Sequence, residues 1–476
     1  MSDNWSRNSG EDGMFTLEDV LEARSVAVIG ASRDKSKPGA MLLKVLKDVG
    51  FRGEVVGVNP RGGEVNGIRL YRSLEEVPFQ VDLAVVLIPP RQVPEAVAAC
   101  GRKGVKGVVI SAEGFAEVGP EGRKLQEDVL RVLRENGIRG FGPNTLGLVN
   151  TATGLTTSYF AHKAMLKPGT IGVAAQSGIF VGALLRYMSS MEGLELSKGL
   201  GLGNKMDVNE CDALEYLARD DQTKIVVMYL EDLREGRRFL DIAKRATKEK
   251  PVLLLKGART PEGARASSSH TGSLAVEDSV LQGAIRQAGI LRMGSIEELI
   301  WTLKGFRTMP LPRGNKIAIV TYSGAQAILT IDEAINSGLQ MATFLPSTLA
   351  KLSEVIATPS KASNPVDLFP DMMTHGFERT SMKIMEALLE DPGVSAIIFI
   401  SFAATGPEPY GPVASMVKER KSKPVFFSLL GTRDDVEACR SFLEGMGIPC
   451  VPFPETAAKV ISHMWRYTMF KEQGEP

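Results

Sequence analysis

The chain has 476 residues, too many for one hydrophobic core and enough for about three domains. Its 56 basic and 56 acidic residues cancel, which leaves no electrostatic footprint for nucleic acid or an anionic membrane surface. The polar start MSDNWSRNSGEDGMF has no apolar signal-peptide core and the longest apolar run, 394–402, is far too short to span a bilayer, so a cytoplasmic location is expected.

Short runs rich in Val, Ile and Leu recur roughly every 25–30 residues, with helical periodicity between them. Strands are predicted first at 25–30, 54–58, 82–88, 107–111 and 138–141. A second set falls at 170–175, 199–203, 224–230 and 251–256, and a third at 316–321, 396–401, 424–429 and 449–453. Near-continuous apolar strands alternating with helices predict an α/β protein of three doubly wound parallel-sheet domains in tandem. The predicted domains are 16–150, 151–310 and 311–470, with boundaries in the loops 150–169 and 309–314. Residues 1–15 and 471–476 are expected to be disordered tails. The second and third sets also echo each other: GTIGVAAQSGIFVGALL answers GNKIAIVTYSGAQAILT, and KEKPVLLLKGART answers KSKPVFFSLLGTR. Cys100, Cys211, Cys439 and Cys450 are scattered without ligand-like spacing, so they read as buried free thiols, and no metal site is expected.

The first predicted strand ends in VIGASRDKSKPGAMLLKVLKDVG. Gly30 permits a tight strand-to-helix turn, and Ser32, Lys35 and Lys37 offer a hydroxyl and cations to a phosphate at the helix N-terminus. The full GxGxxG is missing, and the second strand ends in Val58-Asn59-Pro60 with no acid for a ribose hydroxyl, which argues against a nicotinamide dinucleotide. Lys35, Lys37 and Arg61 suit a ligand with an extra ribose phosphate, such as coenzyme A. The strand ends Ile88-Pro89-Pro90, 111–115 and 142–145 would line the same crevice.

In the second domain Gln176-Ser177-Gly178, and in the third Tyr322-Ser323-Gly324, end a strand just before a helix (179–186 and 325–335). Two such N-termini could hold inorganic phosphate, although serine is equally an ordinary N-cap. Glu231, with Asp232 beside it, closes the strand 224–230. Asp207, Glu210, Asp212 and Glu215 could bear on the same site, although Asp212 and Glu215 read better as part of a helix start. The stretch 257–274, GARTPEGARASSSHTGSL, reads as a loop of small and polar residues that presents His270, one of only four histidines. Ser267, Ser268, Ser269, Thr271, Gly272 and Ser273 are too small to wall it in. An imidazole so placed suits a phosphoryl carrier, with Glu231 able to accept its N–H and stabilise the charged phosphohistidine. The third domain has no counterpart of SSSHTGSL after Gly431.

Taken in order, these motifs resemble the nucleoside-diphosphate-forming acyl-CoA synthetases (acetate–CoA ligase, ADP-forming) and, more distantly, the succinyl-CoA synthetase α subunit. The resemblance runs from Leu21 to about Tyr467. It is carried above all by SSSHTGSLAVEDSVLQGAIRQAGILRMGSIEEL, then by VIGASR, VNPRG, GPNTLGLVN, AAQSG, GLGNKMDV and NPVD. It implies a Rossmann-like CoA-binding domain followed by two flavodoxin-like succinyl-CoA-synthetase-type domains. It also implies that His270 is transiently phosphorylated and paired with Glu231, and that Ser177, Gly178, Ser323 and Gly324 bind phosphate. The coenzyme A contacts implied are Gly30, Ala31, Ser32, Asn59, Pro60, Arg61, Ile88, Pro89, Ser111, Ala112, Glu113 and Asn144.

The chain departs from the pattern in three places. SHTGSLAV replaces the usual SHTGALAG, the third-domain turn is Ser-Gly-Ala-Gln where the family is glycine-rich, and a tyrosine near succinate in the succinate enzyme falls at Gly182. The family's ATP-grasp module has no home here, since about 23 residues follow Phe453. The resemblance therefore implies an α subunit that converts acyl-CoA, phosphate and ADP (or GDP) to carboxylate, CoA and ATP (or GTP) through acyl phosphate. Its partner would be an ATP-grasp β subunit that holds Mg-ADP/ATP, in an α2β2 assembly. The alternative is a non-catalytic CoA or acyl-CoA sensor of the same fold, whose hallmark would be a degraded histidine segment.

Overall fold

The structure, a computed structural model, describes residues 13–178, 182, 184–191, 193–271, 278–369, 371–403 and 406–473. The chain divides into two compact units, Met1–Arg292 and Met293–Pro476.

The first unit carries two sheets. The first consists of β1 (Ser25–Ile29), β2 (Glu54–Val58), β3 (Gly63–Val65), β4 (Ile68–Tyr71), β5 (Leu83–Val86), β6 (Gly107–Ile110) and β7 (Arg139–Phe141). Its order is β3-β4-β2-β1-β5-β6-β7, parallel except for the β3–β4 pair. The second consists of β8 (Leu148–Asn150), β9 (Leu155–Thr156), β10 (Ile171–Ala175), β11 (Leu196–Gly201), β12 (Ile225–Leu230), β13 (Val252–Lys256) and β14 (Leu291–Met293). Its order is β14-β13-β12-β10-β11-β8-β9. The third sheet, in the second unit, has β15 (Lys316–Thr321), β16 (Gln340–Met341), β17 (Val366–Asp367), β18 (Ala396–Phe402), β19 (Val425–Leu430) and β20 (Cys450–Val451). Its order is β16-β15-β18-β19-β20, with β17 paired to β15.

The apolar runs behave as parallel sheets require. β1, β5, β6 and β10 are buried at every position, because helices cover both faces. In each sheet the first parallel strand (β1, β10, β15) has its successor on one side and a later strand on the other. Crossovers thus leave in opposite directions, and a crevice opens at its carboxyl end. The candidate site residues follow β1, β2, β5 and β6 in the first sheet, and β10, β12 and β13 in the second.

Several short elements differ from the sequence reading. The span expected as a linker after residue 150 begins with β9, which with β8 adds an antiparallel extension to β11. The β3–β4 hairpin turns at Asn66 (φ 55°) and Gly67 (φ 75°), and Asn-Gly is a hairpin signal that was present in the sequence. Parts of both expected tails are ordered: Phe15 N–H donates to Gly137 O, and the last helix runs Pro454–Gln473. Residues 1–12 and 474–476 lie outside the described residues. The helix Ile296–Thr308, grouped by sequence with the second domain, packs on Pro454–Gln473 in the second unit. All four cysteines are buried free thiols, and burial pushes Cys100 and Cys450 up to about 12. Among the described residues no helix is long and apolar enough to cross a membrane, and no group of metal-ligating side chains occurs.

Candidate active site

The first crevice is built by close backbone approach. Gly30 has φ 94°, and a Cβ there would sit 2.4 Å from Leu87 O. A Cβ on Gly39 would meet Gly30 O at 2.7 Å. Between them the turn 31–37 leads into the helix Pro38–Asp48, which starts with proline and, among the described residues, has no acid in its first turn. Its N-terminal N–H groups and dipole therefore face the turn uncompensated, as an anion site requires.

Asn59, after β2, ties the crevice together. Its side-chain N–H donates to Ala31 O (2.6 Å) and its Oδ1 accepts from Arg61 N–H (2.9 Å). Arg33, which the sequence reading passed over, donates to Arg61 O and Gly62 O and so fixes the Pro60-Arg61 turn beside Ser32. Lys37 is the N-cap residue of the helix, and Lys35 and Lys37 are exposed. Ile88 and Pro89 follow β5, and Ser111, Ala112 and Glu113 follow β6. Ala112 O accepts from Asn144 N–H, and Asn144 is left-handed at φ 58°. Ser111 Oγ is buried with no hydrogen-bond partner among the described residues, so a polar acceptor at this edge has a donor waiting. Gly30→Ala is expected to force the β1 turn open, at a cost of about 2 kcal/mol or more, and to weaken coenzyme A binding about tenfold. Thermal melting and a coenzyme A titration check both.

The second crevice, at β10, abuts the first through backbone contacts. Gly142 O and Pro143 O accept from Met206 and Asn204 N–H, and a Cβ on Gly178 would meet Leu146 N at 3.2 Å. Asn204 also donates to Glu117 (2.5 Å), whose other oxygen accepts from Gly114 and Phe115 N–H. These donors hold the Glu117 carboxyl below its usual range against the opposing effect of burial. The turn after β6 is thereby fastened to the loop after β11.

Glu231 is held from three strands. Gln176, buried after β10, accepts the N–H groups of Glu231 (2.9 Å) and Asp232 (3.3 Å) on its side-chain oxygen. Lys256, at the end of β13, donates to Glu231 O (2.6 Å), and burial lowers its pKa. Tyr229 O–H donates to Glu231 Oε1 (3.2 Å); burial first, then the carboxylate, push the phenol up to about 12, so it remains a donor at neutral pH. Ser267 O–H donates to Glu231 Oε2 (2.7 Å).

Behind this lies Lys205, 1% exposed and left-handed at φ 53°, paired with Asp232 (2.5 Å) and Glu210 (2.9 Å). Of Asp207, Glu210, Asp212 and Glu215, Glu210 joins this cluster. Asp207 pairs with Arg139, Asp212 with Arg139 and Arg238, and Glu215 with Arg219. Lys205→Met would strand Glu210 and Asp232, so a loss of about 3–5 kcal/mol of stability is expected, read by denaturant unfolding.

The segment expected to be a loop is in part a helix, Pro261–Thr271. Thr260 and Pro261 start it: the Thr260 hydroxyl accepts Gly263 N–H and its carbonyl accepts Ala264 N–H. The Glu262–Arg265 pair and the alanines favour continuation. This helix packs on the turn Ala116–Val118, next to the first crevice. His270 falls in its last turn; its side chain and residues 272–277 lie outside the described residues.

Ser177 and Gly178 are half-buried directly after Gln176, and of the helix expected at 179–186, residues 179–181 and 183 lie outside the described residues. Gly182 is buried with Leu146 Cδ1 3.0 Å from where a Cβ would be, so a larger side chain would displace Leu146. In the second unit, Ser323 precedes the helix Gly324–Asn336, and Thr321 Oγ1 accepts Ser323 N–H.

Comparison with known proteins gives concordant results. Residues 24–151 match the CoA binding domain family and residues 168–306 the succinyl-CoA ligase like flavodoxin domain family. The chain is 37% identical to acetate–CoA ligase [ADP-forming] II of Archaeoglobus fulgidus, over 96% of this chain and 68% of that one. It is 35% identical to acetate–CoA ligase [ADP-forming] II subunit alpha of Pyrococcus furiosus, over 93% of this chain and 96% of that one. Among solved structures, acetyl-coenzyme A synthetase 1 of Candidatus Korarchaeum cryptofilum, in complex with phosphate and ADP, superposes with TM-score 0.88 at 29% identity, covering 96% of this chain and 98% of that one.

Proposed function

Because this chain belongs to the family of ADP-forming acetate–CoA ligases, we propose that it interconverts an acyl-CoA and its carboxylate with ATP synthesis, as the α subunit of the enzyme. The observation that carries the reading is the seat of the helix Pro261–Thr271: it is bonded to Glu231 through Ser267 and packs on the turn beside the β6 edge of the first crevice. In this reading the last turn of that helix carries His270 to a thioester ligand and to the Glu231 carboxylate.

In this reading coenzyme A lies along the turn 30–37, with Asn59, Pro60 and Arg61, Ile88 and Pro89, Ser111–Glu113 and Asn144 around it. Phosphate, held at Ser177 and Gly178, attacks the thioester carbonyl and displaces the coenzyme A thiolate, leaving acyl phosphate. Ser323 and Gly324 repeat the strand-turn-helix in the second unit and are assigned the same ligand type. A ring nitrogen of His270 then attacks the phosphorus and the carboxylate leaves. Glu231 stabilises the resulting positive imidazole, and its own geometry is fixed by Gln176, Tyr229 and Lys256. Phosphoryl transfer asks mainly for positioning and charge complementarity, which this constellation supplies.

Relatives named as alpha subunits support a partner chain. We assign that partner as an ATP-grasp β subunit that binds Mg-ADP, in an α2β2 assembly, and we assign the complex to the cytoplasm. The test is a split assay with acetyl-CoA and radiolabelled phosphate. The chain alone should release coenzyme A thiol and retain label, and ATP should appear only when an ATP-grasp chain and ADP are added. A chain that binds acetyl-CoA but releases no thiol would be a sensor.

A further inference from the structure

We infer that Ser267 is a positioning residue for the phosphoryl transfer: its hydroxyl docks the helix Pro261–Thr271 on Glu231, and this contact sets how long the acceptor dwells at the acyl-CoA half of the reaction. The inference rests on the reading of His270 as the acceptor and deepens it by giving the Ser267 contact a kinetic role.

Glu231 is a fixed post. Its N–H is held by Gln176, its carbonyl by Lys256 and one carboxylate oxygen by Tyr229, so three strands share the load. The helix is the opposite. Pro261, Glu262, Arg265 and Ala266 are exposed and Gly263 and Ala264 half-buried, whereas Ser267 alone in this stretch is buried, at 9% exposure. Ser267 is also where the helix meets a carboxylate, through a 2.7 Å hydrogen bond. A bond to an ionised acceptor is among the stronger kinds, and a hydrogen bond can break and re-form. Ser267 stands three residues before His270, within one helical turn. Whatever seats Ser267 therefore sets the position of the backbone at 270. An acceptor that serves two half-reactions must be held at the first and released for the second, and a charge-assisted hydrogen bond from the helix to Glu231 meets both demands.

Alanine is a better helix former than serine, so Ser267→Ala leaves the helix itself no weaker and isolates the docking contact. The full chain, Ser267→Ala, Ser267→Thr and His270→Ala are mixed with acetyl-CoA and radiolabelled phosphate, without nucleotide, and quenched on the millisecond-to-second scale. We expect phosphoenzyme to form roughly tenfold more slowly in Ser267→Ala, threonine to restore most of the rate, melting temperatures to match, and His270→Ala to stay blank. Equal rates for Ser267→Ala and the natural chain, with His270→Ala blank, overturn the docking role alone. Equal slowing by alanine and threonine also overturns it, because the hydroxyl would then be irrelevant. Label on His270→Ala would instead overturn the acceptor reading on which the inference stands.

Discussion

His270→Ala is expected to reduce phosphoenzyme formation from acetyl-CoA and phosphate to background, a loss of at least about three orders of magnitude, while coenzyme A binding is unchanged. The size of the effect follows from chemistry. A covalent carrier needs a nucleophile that is neutral at neutral pH, attacks phosphorus and leaves a bond labile enough to transfer onward, and imidazole is the side chain that fits. The chain has three other histidines, at 162, 375 and 463, and none of them lies in the segment 257–274. Coenzyme A binding is spared because the turn 30–37, Asn59 and the β6 edge are stabilised by their own hydrogen bonds. Acid-labile, base-stable label measured by filter binding, together with a coenzyme A titration, separates the two effects.

Glu231→Gln is expected to lower the phosphoenzyme level by about two orders of magnitude with little change in fold. The amide is nearly isosteric: its oxygen can accept from one of the two hydroxyls, Tyr229 or Ser267, and its NH2 can donate to the oxygen of the other, but it carries no charge to stabilise a positive, phosphorylated imidazole. Its backbone anchors to Gln176 and Lys256 do not depend on the side chain. A melting temperature close to that of the natural chain with a collapsed phosphoenzyme level therefore isolates electrostatics from structure. A phosphoenzyme level equal to that of the natural chain would return Glu231 to an ordinary strand-end acid.

The elements legible in the sequence were those whose physics is local. The runs 54–58 and 316–321 became β2 and β15 with the same limits, because a strand buried on both faces must be continuously apolar. Elements of two residues, such as β9 and β17, carry too little pattern to be separated from loop. The stretch 257–274 misled through composition: serine and glycine suggest a loop, whereas Thr260-Pro261-Glu262 is a helix start and the alanines carry it on. In the site, Gly30, Asn59 and Glu231 were visible because each ends a strand. Arg33, Tyr229, Lys205 and Lys256 were not, since their roles depend on partners brought near only by the fold. Ser267 meets Glu231 across 36 residues of sequence, and Lys205 meets Asp232 across 27.

The most direct test is to find where the phosphate goes. The chain incubated with acetyl-CoA and phosphate, digested at alkaline pH and mapped by mass spectrometry, should yield one phosphorylated peptide, with the group on His270 and discharged when ADP and an ATP-grasp chain are supplied. A phosphoryl group on any other residue, or a peptide containing His270 that remains unmodified while acetyl-CoA is cleaved, would contradict the account.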